Sequence, residues 1–267
     1  MLTLVSCWYE LKSKFNRNIY NTWISNLLLN VVKFNLVIYT NITSKKLIEP
    51  YINNNRIKVV IKDTKDFYNY KYKSCWIKNH KQNALLNNKI CWELNMLWSE
   101  KISFVKHAYE QHYFDTELYG WCDIGYFRGR VNDIDSNLIK KWPGKNTMNN
   151  LNQKKIHYAN VCNNTNYNNS LFKYVMSKNN IGLPQIPIPP NQCSIAGGFF
   201  ILHKNNINWW WKTYDERLQL YFNHNYLVKD DQIILVDCVL NNLNKFQIHK
   251  ECNPLYDNWF MFQRILL

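Results

Sequence analysis

The chain lacks any apolar run of the roughly 18–20 residues that a bilayer-spanning helix needs, so no membrane span is expected. Its start, Met1 to Glu10, lacks the basic stretch and long apolar core of a secretory signal and reads as a strand instead. The eight cysteines are dispersed and no CxxC pair occurs among them. That argues against a zinc site and, with no secretory signal, for reduced thiols. Together these absences make a cytoplasmic protein the expectation. Charged residues are also sparse, 19% against 46% hydrophobic, which excludes a disordered chain and leaves a globular one. There is no internal repeat and no recognised nucleic-acid-binding motif.

Positive charge and aromatic rings are what the chain has in quantity. Lys and Arg number 33 against 19 Asp and Glu, a formal net charge of +14. A field of that sign gathers phosphate-bearing ligands and nucleic acid alike. The basic residues are spread among Asn and Ile, the residue usage of an AT-rich coding sequence, rather than concentrated in a tail. With no motif to read bases, a nucleic-acid-binding module is the weaker alternative. Aromatics reach 16%, with 11 Trp and 18 Tyr. Such rings stack on sugars or bases, although most pack in and around a core.

Periodicity predicts strands over 3–8, 35–40, 56–61 and 118–123, and helices over 17–32 and 92–111, with a short helix or turn over 42–51. Short apolar strands alternating with helices imply an α/β fold with a mixed, mostly parallel central sheet flanked by helices. Ligands of such sheets lie beyond the carboxyl ends of the strands, so residues 6–10 and 123–130 are the places to look. Residues 132–191 are Asn-rich, carry Pro184, Pro187, Pro189 and Pro190, and offer only 156–161 and 171–176 as ordered candidates. That stretch reads as a loop-rich, acceptor-facing insertion within a single domain. A strand over 194–203, helices over 206–222 and 230–241 and a strand over 245–249 complete the pattern. The domain thus divides into a nucleotide-binding half, about 1–130, the insertion, and an acceptor half, about 192–267.

Four segments carry candidate chemistry. In Trp121-Cys122-Asp123-Ile124-Gly125-Tyr126-Phe127-Arg128 a carboxylate closes a strand, followed by Gly125 and Arg128. Asp123 there either holds Mg²⁺ or Mn²⁺ against a diphosphate or caps a turn, and Arg128 either neutralises phosphate or docks the loop. Gly197 and Gly198 lead into a strand and either floor a substrate site or form a bulge. Asp230, Asp231 and Gln232 open a helix: one acid serves as its cap, or one aims into a cleft to handle an acceptor hydroxyl. His249 ends a strand as a metal ligand or a surface residue.

In this order the segments resemble the core of GT-A glycosyltransferases: a metal-binding Asp motif, a glycine-rich loop, an acidic motif and a late metal ligand. More closely, the chain resembles the HtrL/YibB family of bacterial and viral proteins described as glycosyltransferases. The matching pieces are Tyr9, Arg17 and Tyr20; Leu97-Trp98-Ser99-Glu100-Lys101; Trp121 to Arg128; Ala196 to Phe200; Asp231-Gln232; and Trp259-Phe260. The resemblance implies transfer of a sugar from a nucleoside-diphosphate donor, probed first with UDP-sugars, to a glycan or other hydroxyl acceptor, with retention slightly favoured over inversion. Ser6, Cys7, Trp8 and Tyr9 would line the nucleotide pocket, with Arg17 and Lys101 adding charge near the phosphates. Asp123 and His249 would hold the divalent cation, Gly197 and Gly198 the sugar or acceptor, and Asp231, with Asp230 and Gln232, the acceptor side. Gly125 departs from the pattern where a second metal-binding acid is expected. A protein that keeps the fold and binds sugar or nucleotide without turnover is the remaining alternative.

Overall fold

The computed structural model describes residues 1–267, the side chain of Ser136 left aside. Seven strands form one sheet: β1 (Leu2–Trp8), β2 (Asn35–Thr40), β3 (Ile57–Ile61), β4 (Leu118–Cys122), β5 (Ile156–Asn160), β6 (Phe199–His203) and β7 (Phe246–Lys250). Their spatial order is β3-β2-β1-β4-β6-β5-β7. All run one way except β6, which pairs antiparallel with both β4 and β5. The expectation of an α/β fold with a mostly parallel mixed sheet between helices holds.

Why these strands are central follows from their composition. Every residue of β1, β2 and β4 is buried, including the polar Thr3, Ser6 and Thr40. Strands covered on both faces read as continuous apolar runs rather than alternating ones. The edge strands β3 and β7 instead expose Lys58 and Gln247.

One face is covered by α1 (Arg17–Leu28), α2 (Ile42–Ile48) and the C-terminal α11 (Phe262–Ile265). Ile24, Leu27 and Leu28 of α1 pack there against Leu4 and Ile38. The other face carries α3 (Lys73–Gln82), α4 (Trp92–Ser99), α5 (Lys101–Glu110), α8 (Thr165–Met176), α9 (Ile207–Asn223) and α10 (Asp231–Asn241). Two short helices, α6 (Ser136–Ile139) and α7 (Lys145–Asn150), follow β4.

One expectation changes. The single helix expected over 92–111 is two, broken at Glu100. The Glu100 carboxylate turns away to accept the backbone N–H groups of Tyr68 (2.6 Å) and Asn69 (2.9 Å), opening a short 3-10 turn on a distant segment. The stretch 132–191 does carry its two expected ordered segments, and the first is a strand of the central sheet. It supplies β5, fully buried and paired in register with β6 and β7, and the three-turn helix α8.

Candidate functional site

The sheet's one reversal builds the site. Because β6 runs against its neighbours, its start lies at the same end as the carboxyl ends of β1 and β4. Cys122 pairs with Phe199, and the next N–H, that of Asp123, donates to Gly198 O at 2.8 Å. Gly197 and Gly198 are thereby laid against the strand-end carboxylate. Asp123, Gly197 and Gly198, separated in sequence, are brought together as expected.

Helix α10 brings the second acid. Asp230 caps it, accepting from Gln232 N at 3.2 Å and pairing with Lys229 Nζ at 2.7 Å. Capping satisfies an N–H that the helix start would otherwise leave open. Asp231 is therefore free to turn into the cleft. Three buried amides fix this approach. Asn79 exchanges two 2.8 Å bonds with Val228, Asn83 donates to Lys229 O at 2.9 Å, and Asn95 donates to both carbonyls, at 3.2 and 3.1 Å.

Between the acids stands Lys101, first residue of α5. Its Nζ lies 3.2 Å from Asp123 Oδ1 and 3.0 Å from Asp231 Oδ2, and donates to Gly197 O at 2.7 Å. Burial works against this ammonium, but the two carboxylates outweigh it and hold the amine above its ordinary range, so it stays charged. Enclosure raises the Asp123 carboxyl; Lys101 and the Trp121 indole N–H, which donates to Oδ1 at 2.6 Å, pull the other way. Burial and then Asp231 raise Asp230. The three side chains differ in access: Asp123 is 44% exposed, whereas Lys101 and Asp231 are each 9% exposed. Gly197 is needed for this packing, since a Cβ there would lie 2.5 Å from Asp231 Oδ2.

The cluster divides a cleft into two adjoining lobes. One, of about 650 Å³, is walled by Cys7, Trp8, Tyr9, Trp23, Leu97 and Trp98. Trp8 and Tyr20 lie 5.1 Å apart, ring to ring, and Tyr20 and Trp23 5.4 Å apart. Gly125 lets the Trp23 ring rest on the backbone, because a Cβ would meet it at 2.6 Å. The other lobe, of about 870 Å³, is walled by Lys14, Gly197, Gly198, Asp231, Gln232 and Phe260, with Asp230 at its margin. Arg128 faces both lobes. Its guanidinium sits 4.3 Å from the Trp23 ring and 4.8 Å from that of Phe260, while Nε donates to Gly125 O at 3.2 Å. Among the described residues its two terminal nitrogens have no protein acceptor.

Three expected site residues lie elsewhere. Ser6 is fully buried within β1, two residues short of the strand's carboxyl end, and its hydroxyl has no partner. Arg17 starts α1 and pairs with Glu10 at 3.0 Å on the surface, away from the cleft walls. His249 faces the neighbouring strand, its Nε2 2.9 Å from His157 Nδ1, and burial and that partner lower it to about 4.

The two expected metal ligands, Asp123 and His249, are not brought together. Asp123 Oδ1 is taken by Trp121 and Lys101, Gly125 has no side-chain carboxylate, and His249 is engaged with His157. Among the described residues no three His, Cys, Asp or Glu side chains converge. Asp123 Oδ2 and Asp231 Oδ1 carry no protein partner among the described residues, and a Mg²⁺ or Mn²⁺ ion held at Asp123 would draw the rest of its oxygens from the donor diphosphate and water.

Sequence reading passed over Lys14, Phe15 and the cleft role of Trp23. The stripe of α1 carrying Tyr20, Trp23 and Ile24 reads as core, and half of it is. No protein-family model and no curated protein matches the chain. Among the described residues no helix is long and apolar enough to cross a membrane.

Proposed function

We propose that this chain is a glycosyltransferase of GT-A type that takes a nucleoside-diphosphate sugar as donor and a hydroxyl of a glycan or glycoconjugate as acceptor. The observation that carries this reading is Lys101, held charged between Asp123 and Asp231 at the junction of an aromatic lobe and a polar one. An aromatic lobe suits a flat nucleobase, stacked against Trp8, Tyr9 or Trp98. A diphosphate emerging from it meets Arg128, already oriented by its aromatic neighbours and free at both terminal nitrogens, the geometry that suits a doubly bonded phosphate contact. The sugar then lies over the Asp123, Lys101 and Gly197 cluster.

In transfer the bond between the anomeric carbon and the diphosphate breaks, and negative charge grows on the leaving oxygen. Fixed cations at that point stabilise the transition state more than the ground state, because they need no reorganisation. Lys101 and Arg128 supply that charge, so the reading routes no step through a metal. Asp231 is committed to Lys101 at 3.0 Å. That arrangement suits positioning the sugar or the acceptor hydroxyl more than taking its proton, and agrees with retention. The sheet order, with a single reversed strand delivering glycines to the parallel strand ends, supports the GT-A reading at the level of fold.

A second reading keeps the pocket and drops the chemistry. Both cleft carboxylates touch the same ammonium, which leaves the chain without an uncommitted base and favours a protein that binds a nucleotide sugar without turning it over. One experiment separates the two: incubation of the purified chain with a panel of nucleotide sugars, following binding by melting temperature and turnover by release of nucleoside diphosphate. Binding with slow release is expected for UDP-sugars first. Binding without release selects the second reading, and neither binding nor release across the panel sinks both.

A further inference from the structure

Beyond the sheet, the chain leaving β5 runs antiparallel to the chain approaching β6. Val161 N donates to Ser194 O at 2.7 Å and Ala196 N to Ala159 O at 2.9 Å, with Asn160 and Ile195 bridged between them. Those two bonds make Asn160 and Ile195 a non-hydrogen-bonded pair; Val161 N to Ser194 O is the last bond of this ladder, and Cys162 and Cys193 are the next residue on each segment. Continued by one residue, the same register would set Cys162 and Cys193 in the next non-hydrogen-bonded position. Facing side chains there share one face of the ladder, with Cα atoms about 4.5 Å apart in a regular pair. Disulfides span Cα separations of roughly 4.4–6.8 Å, so the pair stands within reach even as the two segments begin to diverge. Both thiols are free, Cys193 exposed and Cys162 partly so. The surrounding protein and then the Cys162 sulfur push the Cys193 thiol above its ordinary range, as expected of two sulfurs close enough to sense each other.

We propose that Cys162 and Cys193 form a dithiol that closes into a cross-strand disulfide when it meets a small-molecule disulfide of the glutathione class. The Cys193 thiolate attacks one sulfur of glutathione disulfide and expels one glutathione thiolate, leaving a mixed disulfide on Cys193. The Cys162 thiolate then attacks the Cys193 sulfur and expels the second glutathione. Two protein thiols are oxidised and one glutathione disulfide is reduced to two thiols, with the two protein protons passing to the expelled thiolates. Dispersed cysteines gave no sign of this in sequence, because the pairing depends on strand register.

The closed ring would enclose α8 and the proline-rich stretch. It would also sit at the edge of the polar lobe: Gln192, beside Cys193, donates Nε2 to Gln232 O at 3.3 Å in the first turn of α10. Oxidation would therefore fasten the 162–193 segment where the second lobe opens, whatever ligand that lobe takes.

The test uses the full chain, reduced, then treated with glutathione disulfide, alkylated with N-ethylmaleimide and digested without reduction. Mass spectrometry should find a peptide pair joined through Cys162 and Cys193, with no glutathione on either. Exposed Cys252 would stand beside Cys162 if the parallel register of β5 and β7 ran two residues further. It should carry glutathione or the maleimide, and a Cys162–Cys252 peptide pair in place of the expected one overturns the assignment. The melting temperature of the oxidised chain should rise by roughly 5 °C, given the long loop closed. In Cys162→Ser, Cys193 should trap glutathione as a lasting mixed disulfide. Wild-type protein with glutathione held on Cys193 beside an alkylated Cys162, or with both thiols alkylated, overturns the proposal; the wild-type mapping requires no variant to fold.

Discussion

Helix α10 carries two clusters of opposite charge, one at its start and one further along, and they are near mirror images. At the start a single cation, Lys101, sits between two acids; further along a single acid, Asp237, sits between two cations. Asp237 Oδ1 lies 2.6 Å from Lys178, and Oδ2 lies 2.8 Å from the Tyr221 hydroxyl and 3.6 Å from Arg217. Its side chain has no exposure at all, whereas Asp123 in the first cluster is 44% exposed. The second cluster is closed by its own partners and ties α9 and the segment after α8 to α10. The first has an open side. Buried charge alone does not mark a site; buried charge with coordination left to offer does.

The sharpest test of this contrast is Asp237→Ala. It strands two cations in a closed environment and should cost about 3–5 kcal/mol of stability, measured by denaturant unfolding. A loss below about 1 kcal/mol would place Asp237 with ordinary surface pairs and remove the contrast. Next comes Lys101→Met, which should lower donor turnover roughly 100–1000-fold per folded molecule, the scale of losing one preorganised transition-state donor. Turnover within tenfold of wild type would make Lys101 a strut like Asp237. Gly197→Ala forces a methyl group onto Asp231 and should cost roughly 1–3 kcal/mol, with turnover falling in step. An unchanged melting temperature and rate would show that Asp231 can yield.

A smaller effect concerns Glu100, the neighbour of Lys101. Burial raises its carboxyl from 4.5 to about 7, against the pull of the two N–H groups it accepts. A group with a raised folded value contributes stability that is full below its unfolded value and is lost as pH rises through the folded one. The melting temperature should therefore fall between about pH 4.5 and 7, and Glu100→Gln should flatten that fall; an equal slope in the variant would assign it to other groups. The smallest expected effect is that of a chelator. Affinity for a nucleoside diphosphate should be the same with EDTA as with Mn²⁺, by calorimetry, and a strong dependence on the ion would give Asp123 the metal role that the resemblance implies.

How much of this was legible in the sequence differs between the same two clusters. The strand-end Asp123 was readable because the rule for parallel sheets placed it at the ligand end, while the paired glycines and the acidic start of α10 stood out by local pattern and were joined to it by the order the resemblance implies. The Asp237 cluster was not, since Asp237 sits within an apolar helical run and its partners come from other elements. The break at Glu100 was hidden for the same reason: residues 92–111 keep their helical stripe across it, and the competing bonds belong to Tyr68 and Asn69. Ser6, Arg17 and His249 were misplaced by proximity along the chain. Which face a strand residue takes, and which neighbour it meets, are settled by pairing, and pairing is not written locally.

The three amides that grip Val228 and Lys229 bear on how this protein meets its surroundings. Asn79, Asn83 and Asn95 are uncharged, and so are the carbonyls they hold. Their strength does not follow ionic strength, whereas the pull of a chain with net charge +14 on a distant anion weakens as salt is added. Salt becomes a throttle on arrival and leaves the receiving shape alone: association should slow as it rises, while the acidic wall of the cleft stays where neutral hands have put it.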